Sequence, residues 1–193
     1  MSREQSEISE EIISELKIIA KAKSDPKHFA PLYERYYEAI FLFIHKRTQN
    51  TDISADLTSQ VFYKALKNIS QFKFMGHPFS SWLYRIAINE LNEAFRKQKI
   101  QRTVSLEVHG KENLSIDLGF DLLEENENFL ILKKCIHALK DEEIQILELR
   151  YFEEKSFKEI GYVLDITENN AKVKTYRIID KLKGFFKNIN KII

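Results

Sequence analysis

Apolar positions recur at helical spacing through most of the chain. Ile8, Ile12, Leu16 and Ile19 predict an amphipathic helix over residues 8–23. It stops before Ser24-Asp25-Pro26, where Asp25 can cap the next helix and Pro26 can take its first position. That helix extends to about Arg47, with Phe29, Leu32, Tyr36, Ile40 and Phe43 along one side. Thr51-Asp52 open a third, to about Ile69, that turns Ile53, Leu57, Val61 and Leu66 inward. A short loop from Phe72 to His77 then leads to a fourth helix from Pro78 to Lys99. Four helices make a first domain, and no run alternates as a strand would.

From residue 100 to 125 the periodicity lapses. Gly110, Gly119 and a cluster of acids occupy this stretch, which reads as a flexible acidic linker over residues 101–126 with little regular structure. Fully extended, about 25 residues reach roughly 80 Å, enough to let the flanking domains sit two DNA turns apart. Helical periodicity returns at about 127–139, 141–153, 156–164 and 168–189. Ser156 and Glu159 have capping-box spacing, Asp165 occupies a tight turn, and Thr167 suits the N-cap of the last helix. The last two segments read as a helix-turn-helix. The expected fold is all-α: two small helical domains, at residues 25–100 and 127–193, after an N-terminal helical extension at 1–24.

Composition supports this reading. The 193 residues include only five glycines and three prolines, so little punctuates the long helical stretches. Thirty basic residues against twenty-nine acidic ones leave a net charge of +1, weak for a chain that holds DNA unaided. The distribution matters more. Residues 107–128 hold seven acids and one base, whereas 172–193 hold seven bases and one acid. The single cysteine, Cys135, fits a reducing compartment and reads as structural. Glu4, Glu7, Glu10, Glu11 and Glu15 break the N-terminal apolar runs, so neither a signal peptide nor a membrane span is expected there. A cytoplasmic protein is expected.

Chemistry-bearing residues gather in two places. The last helix opens with Asn169 and Asn170, followed by Lys172, Lys174 and Arg177: polar groups for base edges with cations for phosphates. A solvated charged face on an ordinary helical hairpin is the plainer alternative. In the fourth helix, Trp82, Tyr84, Arg85, Asn89, Arg96 and Lys97 mix stacking faces with cations, as expected where single-stranded bases are held. Trp82 can equally be a core residue. The loop Phe74-Met75-Gly76-His77 sets large apolar groups beside a glycine and suits a pocket for an unstacked base. An enzyme is disfavoured: the glycines form no phosphate-binding loop, no metal or cofactor motif occurs, and Cys135 and His137 lie two apart and point away from each other.

Taken in order, Ala55-Asp56-Leu57-Thr58 with Val61-Phe62, Trp82-Leu83-Tyr84-Arg85-Ile86-Ala87 with Asn89, and Lys158-Glu159-Ile160 before the helix-turn-helix resemble the bacterial extracytoplasmic-function (ECF) RNA polymerase sigma factors. The resemblance implies a first domain that binds the β′ clamp helices and melts the −10 element, and a second that binds the β flap and reads the −35 element. By that resemblance Asp56, Leu57, Gln60 and Phe62 would face the clamp. Phe74, Met75, Gly76 and His77 would receive a flipped base, with Trp82, Arg85, Asn89, Arg96 and Lys97 on the adjoining DNA. Thr167, Asn169, Asn170, Lys172, Lys174 and Arg177 would meet the −35 duplex. The linker would thread polymerase, and an anti-sigma factor would be the expected partner.

The departures are specific. Ser59-Gln60 stands where Gln-Glu is common, Glu93 where an aspartate is usual, and Glu168-Asn169-Asn170-Ala171 replaces small residues followed by Thr-Val. An acid at the first turn of a recognition helix repels phosphate. This motivates the expectation that −35 reading is weakened and that a DNA-bound recruiter assists, with residues 1–24 as a candidate docking surface. The competing reading is a stand-alone helix-turn-helix regulator that binds duplex DNA without polymerase.

Overall fold

The computed structural model describes residues 3–98, 132 and 134–189, with side chains over 10–97, 132 and 134–187. The chain divides into two compact units, Met1–Thr103 and Val104–Ile193. Every regular element among the described residues is helical. The expected linker and the first turns of the helix expected from 127 lie outside the described residues.

In the first unit, α1 (Arg3–Ser24) is followed by a 3₁₀ turn (Pro26–Phe29), α2 (Ala30–Thr48), α3 (Thr51–Lys67), a second 3₁₀ turn (Ile69–Gln71) and α4 (Phe79–Gln98). Local chemistry sets the breaks. The Asp25 carboxylate accepts from the Lys27 N–H at 3.0 Å with Pro26 next to it, and the Asn50 side chain accepts from the Ile53 N–H at 3.0 Å. Between α2 and α3 the chain turns through Gln49 in the left-handed region (φ 47°). The core is built by Leu32, Ile40, Phe43 and Ile44 of α2, Val61, Phe62 and Ala65 of α3, and Phe79, Leu83, Ala87 and Leu91 of α4. The last four recur every fourth residue, which lines them along one side of α4.

Two expected stripes are rotated. On α3 the buried face holds Ala65 and Phe62, with Leu66 only half-buried. On α1 it holds Glu15, Ile19 and Ala22, while Ile12 and Leu16 are half-buried. A carboxylate sits on the inward face of α1 because the first unit supplies it with partners, described below. The N-terminal helix is therefore packed into the unit instead of extending from it.

In the second unit, a helical turn at 134–137 precedes α5 (Asp141–Leu147), which runs into one π turn (Glu148–Phe152), then α6 (Phe157–Leu164) and α7 (Glu168–Ile189). The core joins Leu132, Cys135, Ile136 and Leu139 to Ile146, Leu147 and Tyr151 and to Ile178, Ile179, Leu182 and Phe186 of α7. Burial pushes the Cys135 thiol up, which suits a structural cysteine. One ion pair clamps α5 to α7, with Lys181 Nζ 2.7 Å from Glu143 Oε2. Burial raises the Glu143 carboxyl, but Lys181 and the Lys140 backbone N–H outweigh it and hold that carboxyl below its ordinary value.

Candidate nucleic-acid interface

Local contacts at both ends of α6 and at the start of α7 set the geometry of this helical pair. Ser156 Oγ accepts from the Glu159 N–H at 3.2 Å and Glu159 Oε2 accepts from the Ser156 N–H at 3.0 Å, closing the expected capping box. α6 ends at Asp165, in the left-handed region (φ 58°), and the Ile166 N–H returns to Gly161 O at 2.9 Å. A Cβ on Gly161 would lie 2.8 Å from Ile166 O and 3.2 Å from Glu168 N, so the two backbones meet where only a glycine fits. Thr167 Oγ1 accepts from the Asn170 N–H at 3.2 Å and caps α7 as expected.

That geometry settles which side of α7 is free. Ala171, Thr175, Ile178 and Leu182 form its buried stripe, and the Thr175 hydroxyl is turned back onto Ala171 O at 2.8 Å. Thr167, Asn169, Asn170, Lys172 and Arg177 are exposed and Lys174 is half-exposed, with Glu168 among them at the first turn. Val173 and Tyr176 share this exposed surface, which the sequence reading missed. The available signal was their position off the 171-175-178-182 stripe. Tyr176 leans toward Phe157 (ring centroids 6.1 Å), and the Arg150 guanidinium lies 4.8 Å over that same Phe157 ring.

In the first unit the loop before α4 is anchored and then opens. Phe72 is buried in a cluster of rings, 5.3 Å from Phe79 and 5.3 Å from Trp82. Trp82 is half-buried in that cluster, so its inner side is committed to holding the loop. Beyond Phe72 the chain emerges: Phe74 is 44% exposed, Met75 69%, and Gly76 turns with φ 76° before the half-buried His77. Arg85 is half-buried and Asn89, Arg96 and Lys97 are exposed. Trp82, Arg85, Asn89 and Arg96 fall at helical spacing on one face of α4. Lys97 Nζ lies 2.5 Å from Glu93 Oε1, and the Lys97 ammonium holds the Glu93 carboxyl below its ordinary value.

Three expectations need correction. Tyr84 offers no stacking face: it is buried edge-on against Phe43, ring centroids 4.8 Å apart. Phe62 is 3% exposed and Leu57 6%, so neither can face a partner directly. Phe62 instead packs on Tyr33 (4.8 Å) and Tyr37 (6.2 Å) in an aromatic core. Asp56 and Gln60 remain on the surface of α3. They are joined there by Tyr63, which is 64% exposed and was not singled out from sequence because it lies off the apolar stripe.

Comparison with known proteins identifies both units. The family model for Sigma-70 region 2 matches residues 32–100, and that for Sigma-70, region 4 matches residues 135–184, together more than half of the chain. The ECF RNA polymerase sigma factor SigW of Bacillus subtilis (strain 168) is 29% identical over 163 residues, covering 80% of this chain and 87% of that protein. The chain belongs to the ECF sigma factors. The RNA polymerase sigma factor YlaC of the same organism is likewise 29% identical, over 162 residues, covering 83% of this chain and 91% of YlaC. The ECF sigma-E factor of Escherichia coli (strain K12) is 24% identical over 179 residues, covering 88% of this chain and 92% of that protein. The fold is shared with CnrH, solved with the cytosolic domain of CnrY (TM-score 0.63, 17% identity, 90% of this chain and 97% of that one). It is also shared with RpoE of Bartonella quintana, solved with the anti-sigma factor NepR (TM-score 0.56, 18% identity, 83% and 98%). As an ECF sigma factor the chain is a DNA-binding specificity subunit of transcription initiation and not an enzyme. No described helix is long and apolar enough to cross a membrane.

Proposed function

We propose that this sigma factor binds core RNA polymerase in the cytoplasm, reads a −35 element with the exposed start of α7, and promotes melting by capturing an unpaired −10 base at the loop before α4. The observation that carries the reading is the pairing of two unlike surfaces on one chain. α7 offers amides and cations from a capped N-terminus, the arrangement suited to a major groove. The first unit offers two exposed apolar side chains, Phe74 and Met75, beside the α4 face that carries Trp82, Arg85, Asn89 and Arg96. A duplex-only reader has no use for the second surface.

On this reading Thr167 orders the backbone of α7, Asn169 and Asn170 read bases, and Lys172, Lys174 and Arg177 neutralise phosphates. Asp56, Gln60 and Tyr63 on α3 meet the β′ clamp helices, and the second unit takes the β flap. Core residues Leu57 and Phe62 shape the α3 surface from beneath. Glu168 at the first turn of α7 weakens phosphate attraction there, which favours assistance from another DNA-bound factor at some promoters. Since CnrH and RpoE were each solved with a bound protein, in the second case an anti-sigma factor, such a factor is also the regulator to seek for this chain.

The test is to compare the free chain with the reconstituted holoenzyme on genomic DNA fragments, mapping bound sites by footprinting and unpaired thymines by permanganate. Protection of paired upstream elements and unpairing near the downstream one, both requiring core polymerase, are expected. Tight duplex binding by the free chain with no unpaired thymines would overturn the proposal.

A further inference from the structure

The buried carboxylate of α1 and a lysine eight residues on both reach the base-reading loop, from opposite ends. At the entry, Lys23 Nζ donates to Phe72 O at 2.6 Å, across forty-nine positions of sequence. At the exit, Glu15 Oε2 accepts from the backbone N–H of Phe79, the first residue of α4, at 3.2 Å, across sixty-four positions. The other carboxylate oxygen of Glu15 accepts from the Tyr36 hydroxyl and lies 3.8 Å from the Arg35 guanidinium. Glu15 is 4% exposed, so these partners are what make its burial tolerable. A carboxylate at the first N–H of a helix also opposes the positive end of the helix dipole. Between the two anchor points lie Phe74 and Met75, the most exposed apolar groups of the loop.

We infer that α1 is a brace for the base-reading loop: Lys23 fixes its entry, Glu15 fixes its exit, and the two act as positioning residues that aim Phe74 and Met75 without touching DNA. This rests on the reading above that the loop receives an unpaired −10 base. It gives the N-terminal helix a role in −10 selectivity, distinct from recruitment. A displaced loop would still bury Phe72 and still let the chain bind polymerase, but would discriminate less between bases at the position it reads.

The experiment uses holoenzyme made from core RNA polymerase and the full chain, either wild type or carrying Lys23→Met, Glu15→Gln, Phe74→Ala or Met75→Ala. The template is a promoter selected by the wild-type holoenzyme from DNA randomised across the −10 element. The readout is the ratio of open-complex formation rates on that template and on versions with single −10 substitutions. General loss of folded chain lowers both rates together and leaves the ratio unchanged, so the ratio separates aiming from stability.

Lys23→Met and Glu15→Gln are each expected to lower the ratio about five- to tenfold, the scale of one ordinary net hydrogen bond. Core affinity should stay within about twofold, as expected for a change remote from the polymerase-facing surface. If both variants keep the wild-type ratio while Phe74→Ala and Met75→Ala collapse it, the brace is overturned and the loop reading stands. If the loop variants also keep the ratio, the loop reading falls and the brace with it. Lys23 is an exposed residue, so Lys23→Met decides the matter even if Glu15→Gln fails to fold.

Discussion

Gly161 and Gly184 place the same residue in opposite surroundings, and replacing each by alanine separates helix propensity from backbone crowding. Both lie within helices, where alanine is favoured over glycine by about 1 kcal/mol. At Gly184 a Cβ would meet nothing within 4 Å, so that gain is realised in full. At Gly161 the Cβ would lie 2.8 Å from Ile166 O and 3.2 Å from Glu168 N. Carbon-to-oxygen contacts settle near 3.3–3.6 Å, so the turn must shift by roughly half an ångström. Both obstacles are backbone, so no rotamer change relieves them.

Overpacking of this kind costs about 2–3 kcal/mol, which leaves Gly161→Ala destabilising by about 1–2 kcal/mol net. For a domain of this size, Gly184→Ala should raise the melting temperature of the second unit by about 4–8 °C, and Gly161→Ala should lower it by at least as much. Circular dichroism melts of the full chain and the two variants provide the assay. A stabilising Gly161→Ala would refute the close approach of α6 to the start of α7, and with it the geometry that presents Asn169 and Asn170.

Other consequences follow from single contacts. If Lys172, Lys174, Arg177, Arg96 and Lys97 meet phosphates, the log–log salt slope of holoenzyme binding to promoter DNA should be about −4 to −5 from this subunit, and Lys172→Ala should reduce its magnitude by about 1. Asn170→Ala should cost about 1–3 kcal/mol of selectivity at one −35 base pair, measured by competition with substituted duplexes. Tyr63→Ala should weaken binding to core polymerase while leaving the melting temperature almost unchanged, because the ring is mostly exposed. The Glu143 carboxyl is held below its ordinary value of 4.5, so its link to Lys181 stabilises the second unit above that pH and is lost as the pH falls below it. The melting-temperature gap between wild type and Glu143→Gln should therefore close on acidification from pH 7 to well below 4.5.

What was legible from sequence and what was not divides along physical lines. Helix starts were readable because capping acts within three residues: Asp25, Ser156 with Glu159, and Thr167 all cap as their spacing implies. The exposed face of α7 was readable as well, since Ala171, Thr175 and Ile178 define its inward stripe. Tertiary partners were not. Glu15 looks like any surface acid until Tyr36, Arg35 and the Phe79 N–H converge on it from α2 and α4. Phe62 looked available to a partner because no local pattern shows that Phe29, Tyr33 and Tyr37 enclose it. Asp165 does take the left-handed geometry that its turn position implied, whereas the steric need for glycine at Gly161, one helical turn earlier, depends on how closely the Ile166 carbonyl and the Glu168 N–H return to α6, which no local pattern shows.

The most direct test is copurification of the tagged full chain from its native cell, with mass spectrometry of everything retained. The account predicts β, β′ and α subunits of RNA polymerase in the eluate, together with any stoichiometric regulator or recruiter. A DNA-bound homodimer recovered without polymerase would contradict it.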